Sequence, residues 1–110
     1  MENVQDIVLE FSRLAKGILG SRLTKVILYG SCARGDYTEN SDIDIMLLTT
    51  LSDKEIEKIE TEVFNLAFEF EMKYFVDISV VIKNEEQFNY WLGALPFYDN
   101  VHREGIVVDG

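Results

Sequence analysis

TKVILYGSCARGDYTENSDIDIMLL, the stretch at residues 24–48, contains two apolar segments joined by a turn with glycine and serine. Residues 24–29 are rich in β-branched side chains and end abruptly at Gly30, which predicts a short buried strand. Gly30 lets a ligand approach the backbone closely, and N–H groups at the start of a following helix would face an anion. Ser31 adds a hydroxyl, and Arg34 adds a positive charge. The turn alone is a weak signal, because glycine and serine after a strand usually form an ordinary loop.

Two acidic residues begin the second apolar segment, for which a strand at 42–49 is predicted. Side chains two apart on a strand share a face, so Asp42 and Asp44 point the same way, about 6.6 Å apart along the chain. Ile43 and Ile45 then point into the core. Neighbouring carboxylates repel each other unless a cation lies between them. Oxygen ligands of this kind suit Mg²⁺ or Mn²⁺, which also bind substrate phosphates.

A third acid, Asp77, lies in the apolar segment YFVDISVVI, residues 74–82. A strand is predicted near 76–82, and a charge buried between Val76 and Ile78 would need a partner. A metal shared with the first two acids would supply one, because three carboxylates on adjacent strands can hold two ions about 3.5–4 Å apart. The alternative is an acid at the end of a strand, bonded to a loop.

The sequence GS at 30–31, ten further residues and then DID at 42–44, with a later aspartate on a strand, resembles the nucleotidyltransferase superfamily related to DNA polymerase beta. More narrowly, GSCARG at 30–35 with SDID at 41–44 is similar to the minimal nucleotidyltransferases, which are often paired with a helical HEPN-domain toxin. The resemblance covers the chain from its first strand to its last, near 106–108. It implies an α/β (α+β) fold in which a mixed β-sheet is covered by helices.

The resemblance also implies a role for each residue of the motif. The implied metal ligands, which would hold two Mg²⁺ ions, are Asp42, Asp44 and Asp77. ATP would be the substrate, and its phosphates would lie against Gly30, Ser31 and Arg34. An acceptor hydroxyl would attack the α-phosphate and expel pyrophosphate, with Asp77 promoting loss of the hydroxyl proton. Arg34 has a second interpretation, in which it pairs with Asp36 or Glu39.

In the minimal family the acceptor is typically a tyrosine of the partner toxin, which is AMPylated and so neutralised. The chain is therefore expected to be an antitoxin that transfers AMP to a HEPN-type toxin. Two alternatives stay open: a non-catalytic module that binds nucleotide or masks a partner, and a transferase that modifies a small molecule such as an aminoglycoside. The first is disfavoured because all three acids are present. The second is disfavoured because a short chain has no second domain to enclose the substrate, although a homodimer could build that pocket.

Composition limits these interpretations. With 110 residues, 47% of them hydrophobic, the chain has room for a single domain, 1–110, with a real core. No apolar run approaches membrane-spanning length and residues 1–6 carry no basic signal region, so a cytoplasmic protein that does not bind a membrane is expected. Cys32 is the only cysteine, which excludes an intrachain disulfide or a metal site built from several cysteines.

The net charge of −10 argues against a nucleic-acid partner, because proteins that bind the phosphate backbone normally present a basic surface. A basic protein or a cationic small molecule fits the acidic surplus better.

The remaining pattern predicts one α/β unit without repeats or a linker. Apolar residues at helical spacing predict a helix over 3–19 and a second that starts at the cap Ser52, with Glu55 three residues on, and runs through Phe70. These two helices would cover the sheet. A last helix is predicted near 84–93. The aromatic residues of the C-terminal third are predicted to pack in the core, with a docking surface as the alternative; they are Phe88, Tyr90, Trp91, Phe97 and Tyr98.

Overall fold

The computed structural model describes residues 4–35, 38 and 41–109. Its helices are α1 (Val4–Leu19), α2 (Ser31–Arg34), α3 (Asp53–Tyr74), α4 (Glu85–Trp91) and α5 (Pro96–Glu104), with a 3-10 turn at Gly20–Arg22. Its strands are β1 (Leu23–Tyr29), β2 (Ile43–Thr49), β3 (Ile78–Asn84) and β4 (Ile106–Asp109). The predicted elements are therefore present, although residue 3 of the first predicted helix lies outside the described residues.

The four strands form one sheet in the order β3-β2-β1-β4. β1 pairs antiparallel with β2 and with β4, whereas β2 and β3 run parallel. A parallel pair needs a long crossover connection, and α3 supplies it. This α+β architecture confirms the mixed sheet covered by helices that the sequence predicts.

α3 begins at a capping box, as its sequence predicts. The Ser52 hydroxyl accepts a hydrogen bond from the Glu55 N–H at 3.3 Å, and the Ser52 N–H donates to the Glu55 carboxylate at 3.0 Å. These bonds satisfy backbone donors that the first helical turn leaves unpaired.

Helices cover both faces of the sheet. The face formed by Ile43, Ile45 and Leu47 packs against α1 and α3, where Phe11 and Phe70 meet edge to face at 5.5 Å. The opposite face, which includes Met46 and Leu48, packs against Phe88 of α4 and Val101 of α5. The strand alternation fixes which side chains share a face. Asp44 belongs to this second face, beyond the part that α4 and α5 bury.

The C-terminal aromatic residues divide into buried and exposed positions. Phe88 is buried, and the Tyr98 ring packs on it at 5.2 Å between centroids, as a core position requires. Tyr90 is 76% exposed, Trp91 42% and Phe97 44%, so core packing is wrong for these three. α4 ends at Trp91, before the predicted boundary at 93, and the nine-residue helix α5 follows it.

The segment around Asp77 differs from its prediction. α3 extends to Tyr74, because Tyr74 packs on Phe70 and donates a hydrogen bond from its hydroxyl to Glu10. β3 then starts only at Ile78, and Asp77 lies exposed just before it. The expectation of a buried charge at Asp77 is therefore wrong, and Asp77 is an acid at a strand end.

Over the described part of the chain, no helix is long and apolar enough to cross a membrane.

Candidate active site

The turn after β1 brings the backbone of Gly30 against a carboxylate. Gly30 has φ 73° and ψ −156°, a conformation that residues with a Cβ rarely adopt. Its carbonyl accepts hydrogen bonds from the N–H groups of Ala33 and Arg34, both at 3.1 Å, which starts the short helix α2. A Cβ at Gly30 would overlap the Asp44 carboxylate. Only glycine therefore allows the turn and this acid to lie so close together.

Strand pairing explains how Asp44 reaches the turn. Asp44 on β2 lies opposite Tyr29 on β1, the residue just before Gly30. The Cys32 thiol of α2 donates to the backbone carbonyl of Asp42 at 3.4 Å. The turn and the first predicted acid pair therefore form one compact site, in which Asp42 is exposed and Asp44 is half-buried.

Burial and the nearby carboxylates act in the same direction on the pKa values of this site. Partial burial, followed by the nearby Asp42 carboxylate, raises the pKa of Asp44, while Arg34 acts in the opposite direction. Burial and the Asp44 charge raise the pKa of Tyr29 to about 12. Burial and both acids also raise the pKa of the Cys32 thiol. The site thus favours a neutral thiol and disfavours a second negative charge beside Asp42.

Asp77 reaches the same edge of the sheet through β3. Ile43 pairs with Ile78 in the parallel ladder, and the Ile43 N–H donates to the Asp77 carbonyl at 2.8 Å. The backbones of Asp42 and Asp77 are consequently neighbours at the start of two adjacent strands. Within the described residues 4–35, 38 and 41–109, however, no three His, Cys, Asp or Glu side chains form a group that could hold a metal ion as they stand.

The donor set at this edge nevertheless fits a divalent cation. Asp42 and Asp44 offer hard oxygen ligands, which suit Mg²⁺ or Mn²⁺. Burial first, and repulsion from Asp42 second, raise the pKa of Asp44, and a bound cation would offset both effects by stabilising the ionised carboxylate. The exposed Asp77 lies just before the neighbouring strand β3, with its backbone beside that of Asp42.

Arg34 has a partner that sequence reasoning missed. Its guanidinium lies 3.2 Å from the Glu104 carboxylate at the end of α5, and both side chains are partly exposed. The pair borders a cavity of about 180 Å³ that is also lined by Tyr29, Gly30, Phe97, Asn100 and Val101. Asp36 and Glu39, the partners that the sequence suggests for Arg34, lie outside the described residues. Glu104 is distant in sequence and no local motif marks it, so only the packing of α5 on the sheet reveals it.

This fold, with a glycine turn packed on a carboxylate at the open end of a mixed sheet, fits an enzyme that acts on phosphorylated substrates. Residues 6–106 match the family model described as nucleotidyltransferase domain. The chain belongs to this family and is a nucleotidyltransferase, which confirms the resemblance that the GS and DID motifs indicate.

A relative at higher identity covers nearly the same length. A candidate protein adenylyltransferase of Methanocaldococcus jannaschii is 37% identical over 106 residues, which span 96% of this chain and 98% of the relative.

Solved structures share the fold at lower identity. A toxin–antitoxin complex with AMP-PNP contains a chain of 21% identity, with a TM-score of 0.59 over 96% of this chain and 73% of the other. A tri-AMPylated Shewanella oneidensis HEPN toxin in complex with its MNT antitoxin gives 19% identity and a TM-score of 0.56, over 98% of this chain and 73% of the other. At these identities the likeness shows the fold.

Proposed function

We propose that this nucleotidyltransferase transfers AMP from ATP to a tyrosine hydroxyl of a partner protein, a HEPN-type toxin, and so acts as its antitoxin. The observation that carries the proposal is the contact between the Gly30 backbone and the Asp44 carboxylate. It joins a phosphate-binding turn to a cation-binding acid, which is what transfer from a metal-bound triphosphate requires.

The comparisons support the protein acceptor. The relative from Methanocaldococcus jannaschii is named for transfer of an adenylyl group to protein. Two structures of the same fold are toxin–antitoxin complexes, one with AMP-PNP and one with an AMPylated HEPN toxin. The net charge of −10 agrees with a basic protein partner and with the absence of nucleic acid from the reaction.

Three residues of the turn would bind the triphosphate. The Gly30 backbone permits close approach, the Ser31 hydroxyl can donate a hydrogen bond to a phosphate oxygen, and Arg34 can pair with the phosphate charge. Arg34 is held by Glu104, so phosphate binding has to compete with this carboxylate. The cavity of about 180 Å³ beside them leaves space next to the turn.

Asp42, Asp44 and Asp77 would hold one or two Mg²⁺ ions. Bound there, Mg²⁺ would neutralise phosphate charge and ease deprotonation of the acceptor hydroxyl. Asp42 and Asp44 would then act as a pair at the start of β2, and Asp77 would add a ligand from the segment just before β3.

The transfer balances as a single substitution at phosphorus. The tyrosine oxygen bonds to the α-phosphorus, and the bond from that phosphorus to the bridging oxygen of the β-phosphate breaks. Pyrophosphate leaves with the electron pair, and the hydroxyl proton passes to the Asp77 carboxylate and then to water. Because ATP is consumed, we propose that the reaction takes place in the cytoplasm.

In the decisive experiment, the protein is incubated with Mg²⁺ and with ATP labelled on its α-phosphate in a lysate of the source cells, and the label is followed. The wild-type chain should label a protein band, and mass spectrometry should locate AMP on a tyrosine of that band. Asp42→Asn, Asp44→Asn and Asp77→Asn should each lower labelling by about 100-fold or more. Asp6→Asn, on an exposed position of α1, serves as the matched control and should label normally.

Three other results would contradict the proposal. Undiminished labelling by Asp42→Asn or Asp44→Asn would remove these acids from the mechanism. Label on a small molecule would assign the chain to enzymes that modify substrates such as aminoglycosides. ATP binding without any labelled product would indicate a non-catalytic module, which binds nucleotide or masks its partner.

Loss of activity in Asp44→Asn should not come from unfolding. The pKa of Asp44 is raised in the folded state, so its ionised form lowers stability above the unfolded pKa of about 3.9. Asp44→Asn should therefore be at least as stable as the wild type at pH 7, and the difference should vanish below that pKa. Urea unfolding at pH 7 and at a pH below about 3.9 checks this. An Asp44→Asn variant that is less stable than the wild type at pH 7 would contradict the electrostatic argument.

A further inference from the structure

The outward face of α3 carries a row of large apolar side chains. Phe64 is 46% exposed, Phe68 60% and Met72 63%, and each follows the previous one by one helical turn. The opposite side of α3 supplies the core with Ile56, Val63, Ala67 and Phe70. The row continues to Phe75, directly after the helix, and we call these four residues the Phe64 row. Together they expose on the order of 500 Å² of apolar surface, the size of patches that mark binding sites.

Phe75 adds a separate observation. It is 92% exposed and has a left-handed backbone, with φ 55° and ψ 46°. This conformation is unfavourable for a bulky residue, and glycine or asparagine would end the helix at lower cost. The exposed ring is not buried in return, so the fold alone gives no reason for a phenylalanine at this position.

Carboxylates border the Phe64 row. Glu60 and Glu71 lie at helical spacing from Phe64 and Phe68, and the exposed Glu57 extends the same face towards the N-terminus of α3. The helix as a whole has seven acidic and three basic residues. An apolar row with an acidic border is complementary to a helix that has an apolar row with a basic border. A second copy of this chain would place the same acids against each other.

We propose that the Phe64 row is the docking surface for a partner protein, which lays an amphipathic helix with basic flanking residues along α3. Aromatic residues and methionine supply the buried centre of such interfaces, and charges at the edge select the partner. Phe75 is followed by Val76 and then Asp77, so the surface ends next to the candidate active site. A partner bound there would be close to the site, although docking itself does not depend on the transfer reaction.

The test uses two synthetic helical peptides of about 20 residues, the length of α3. Both carry leucines along one face, and one has lysines at the flanking positions where the other has glutamates. NMR titration of the labelled protein should show the lysine peptide binding at the Phe64 row at least about tenfold more tightly than the glutamate peptide. Its affinity should fall between about 0.05 M and 0.5 M salt.

Variants on the two sides of the molecule complete the test. The double variant Phe68→Ser/Met72→Ser should weaken binding of the lysine peptide by about tenfold or more, whereas Tyr90→Ser, at an even more exposed aromatic position on α4, should bind the peptide normally. Circular dichroism should show both variants folded, because the replaced side chains are exposed. Asp44→Asn should bind the peptide like the wild type, which separates docking from transfer.

Several outcomes would overturn the inference. Equal affinity for the two peptides would show that the acidic residues bordering the Phe64 row do not select the partner. Normal binding by the double variant would show that the peptide binds at another surface. Dimerisation in sedimentation experiments that is abolished by Phe68→Ser/Met72→Ser would make a second copy the occupant. Binding of the wild type, but not the double variant, to anionic lipid vesicles would make a membrane the occupant.

Discussion

At the scale of single residues, Gly30 combines two constraints that no other amino acid meets. Its positive φ favours glycine, and the space where a Cβ would stand is taken by Asp44. Backbone strain of this kind costs of the order of 1–3 kcal/mol for residues with side chains. The position therefore links a conformational requirement to the proposed chemistry.

We predict that Gly30→Ala lowers the free energy of unfolding by about 1–3 kcal/mol and lowers AMP transfer by about 100-fold or more. The physical reason is that the new methyl group displaces the Asp44 carboxylate from the turn. Urea unfolding measures the change in stability, and transfer of label from ATP labelled on its α-phosphate measures the change in activity.

Gly20→Ala is the matched control, because Gly20 also has positive φ but a methyl group added there would meet open space. Gly20→Ala should lower the free energy of unfolding through the left-handed backbone alone, and its AMP transfer should be normal. A Gly30→Ala protein with full activity would show that the contact with Asp44 is not needed for catalysis.

At the scale of elements, the pair between Arg34 of α2 and Glu104 of α5 connects the turn to the C-terminal helix. We predict that Glu104→Gln lowers the KM for ATP by about two- to fivefold, since an exposed ion pair of this kind is worth about 0.2–1 kcal/mol. Removing Glu104 takes away a carboxylate that competes with the phosphates for Arg34 and removes a repulsive charge. Steady-state kinetics with varied ATP measure the change.

The background variant Arg34→Gln should raise KM and should reduce the additional effect of Glu104→Gln. Glu62→Gln, at an exposed position of α3, is the control for loss of one negative charge. A KM that rises in Glu104→Gln would mean that Glu104 positions Arg34 for the substrate instead of competing with it.

The capping box of α3 gives a prediction for stability alone. Ser52→Ala removes the hydroxyl that accepts from the Glu55 N–H and should cost about 1 kcal/mol in the free energy of unfolding. The Glu55 carboxylate forms hydrogen bonds with the backbone and side chain of Ser52, and these bonds lower the pKa of Glu55. The stability that the ionised carboxylate contributes is therefore present at neutral pH and is lost as pH falls through the lowered pKa.

Urea unfolding of Glu55→Gln should accordingly show a deficit at pH 7 that shrinks under acid conditions. Ser21→Ala, an exposed serine in the 3-10 turn, should be close to neutral for stability. A Glu55→Gln deficit that stays constant with pH would show that the charge of Glu55 is not involved.

At the scale of the whole molecule, the net charge of −10 makes the folded state repel itself. We predict that the melting temperature rises by about 4 °C between low and high sodium chloride, which corresponds to less than about 1 kcal/mol in a domain of this size. Differential scanning calorimetry checks this. A melting temperature that falls with salt would mean that attractive pairs such as Lys73–Glu10, 3.2 Å apart, outweigh the general repulsion.

The sequence by itself determined the features that depend on local pattern. Alternation in β1 and β2, helical spacing in α1 and α3, and the Ser52–Glu55 cap were predictable because each follows from periodicity or from neighbouring residues. The family could also be predicted, because the GS and DID motifs and their spacing lie within one short segment.

The tertiary structure alone decided what depends on residues far apart in the chain. Strand register places Asp44 opposite Tyr29 and against Gly30, and the packing of α5 brings Glu104 to Arg34. The tertiary structure also corrects the prediction that Asp77 is buried. Asp77 is exposed because Tyr74 packs on Phe70 and so extends α3. The physical reason is that local sequence sets the preferences of a segment, whereas burial against distant segments sets where it ends and which side chains meet.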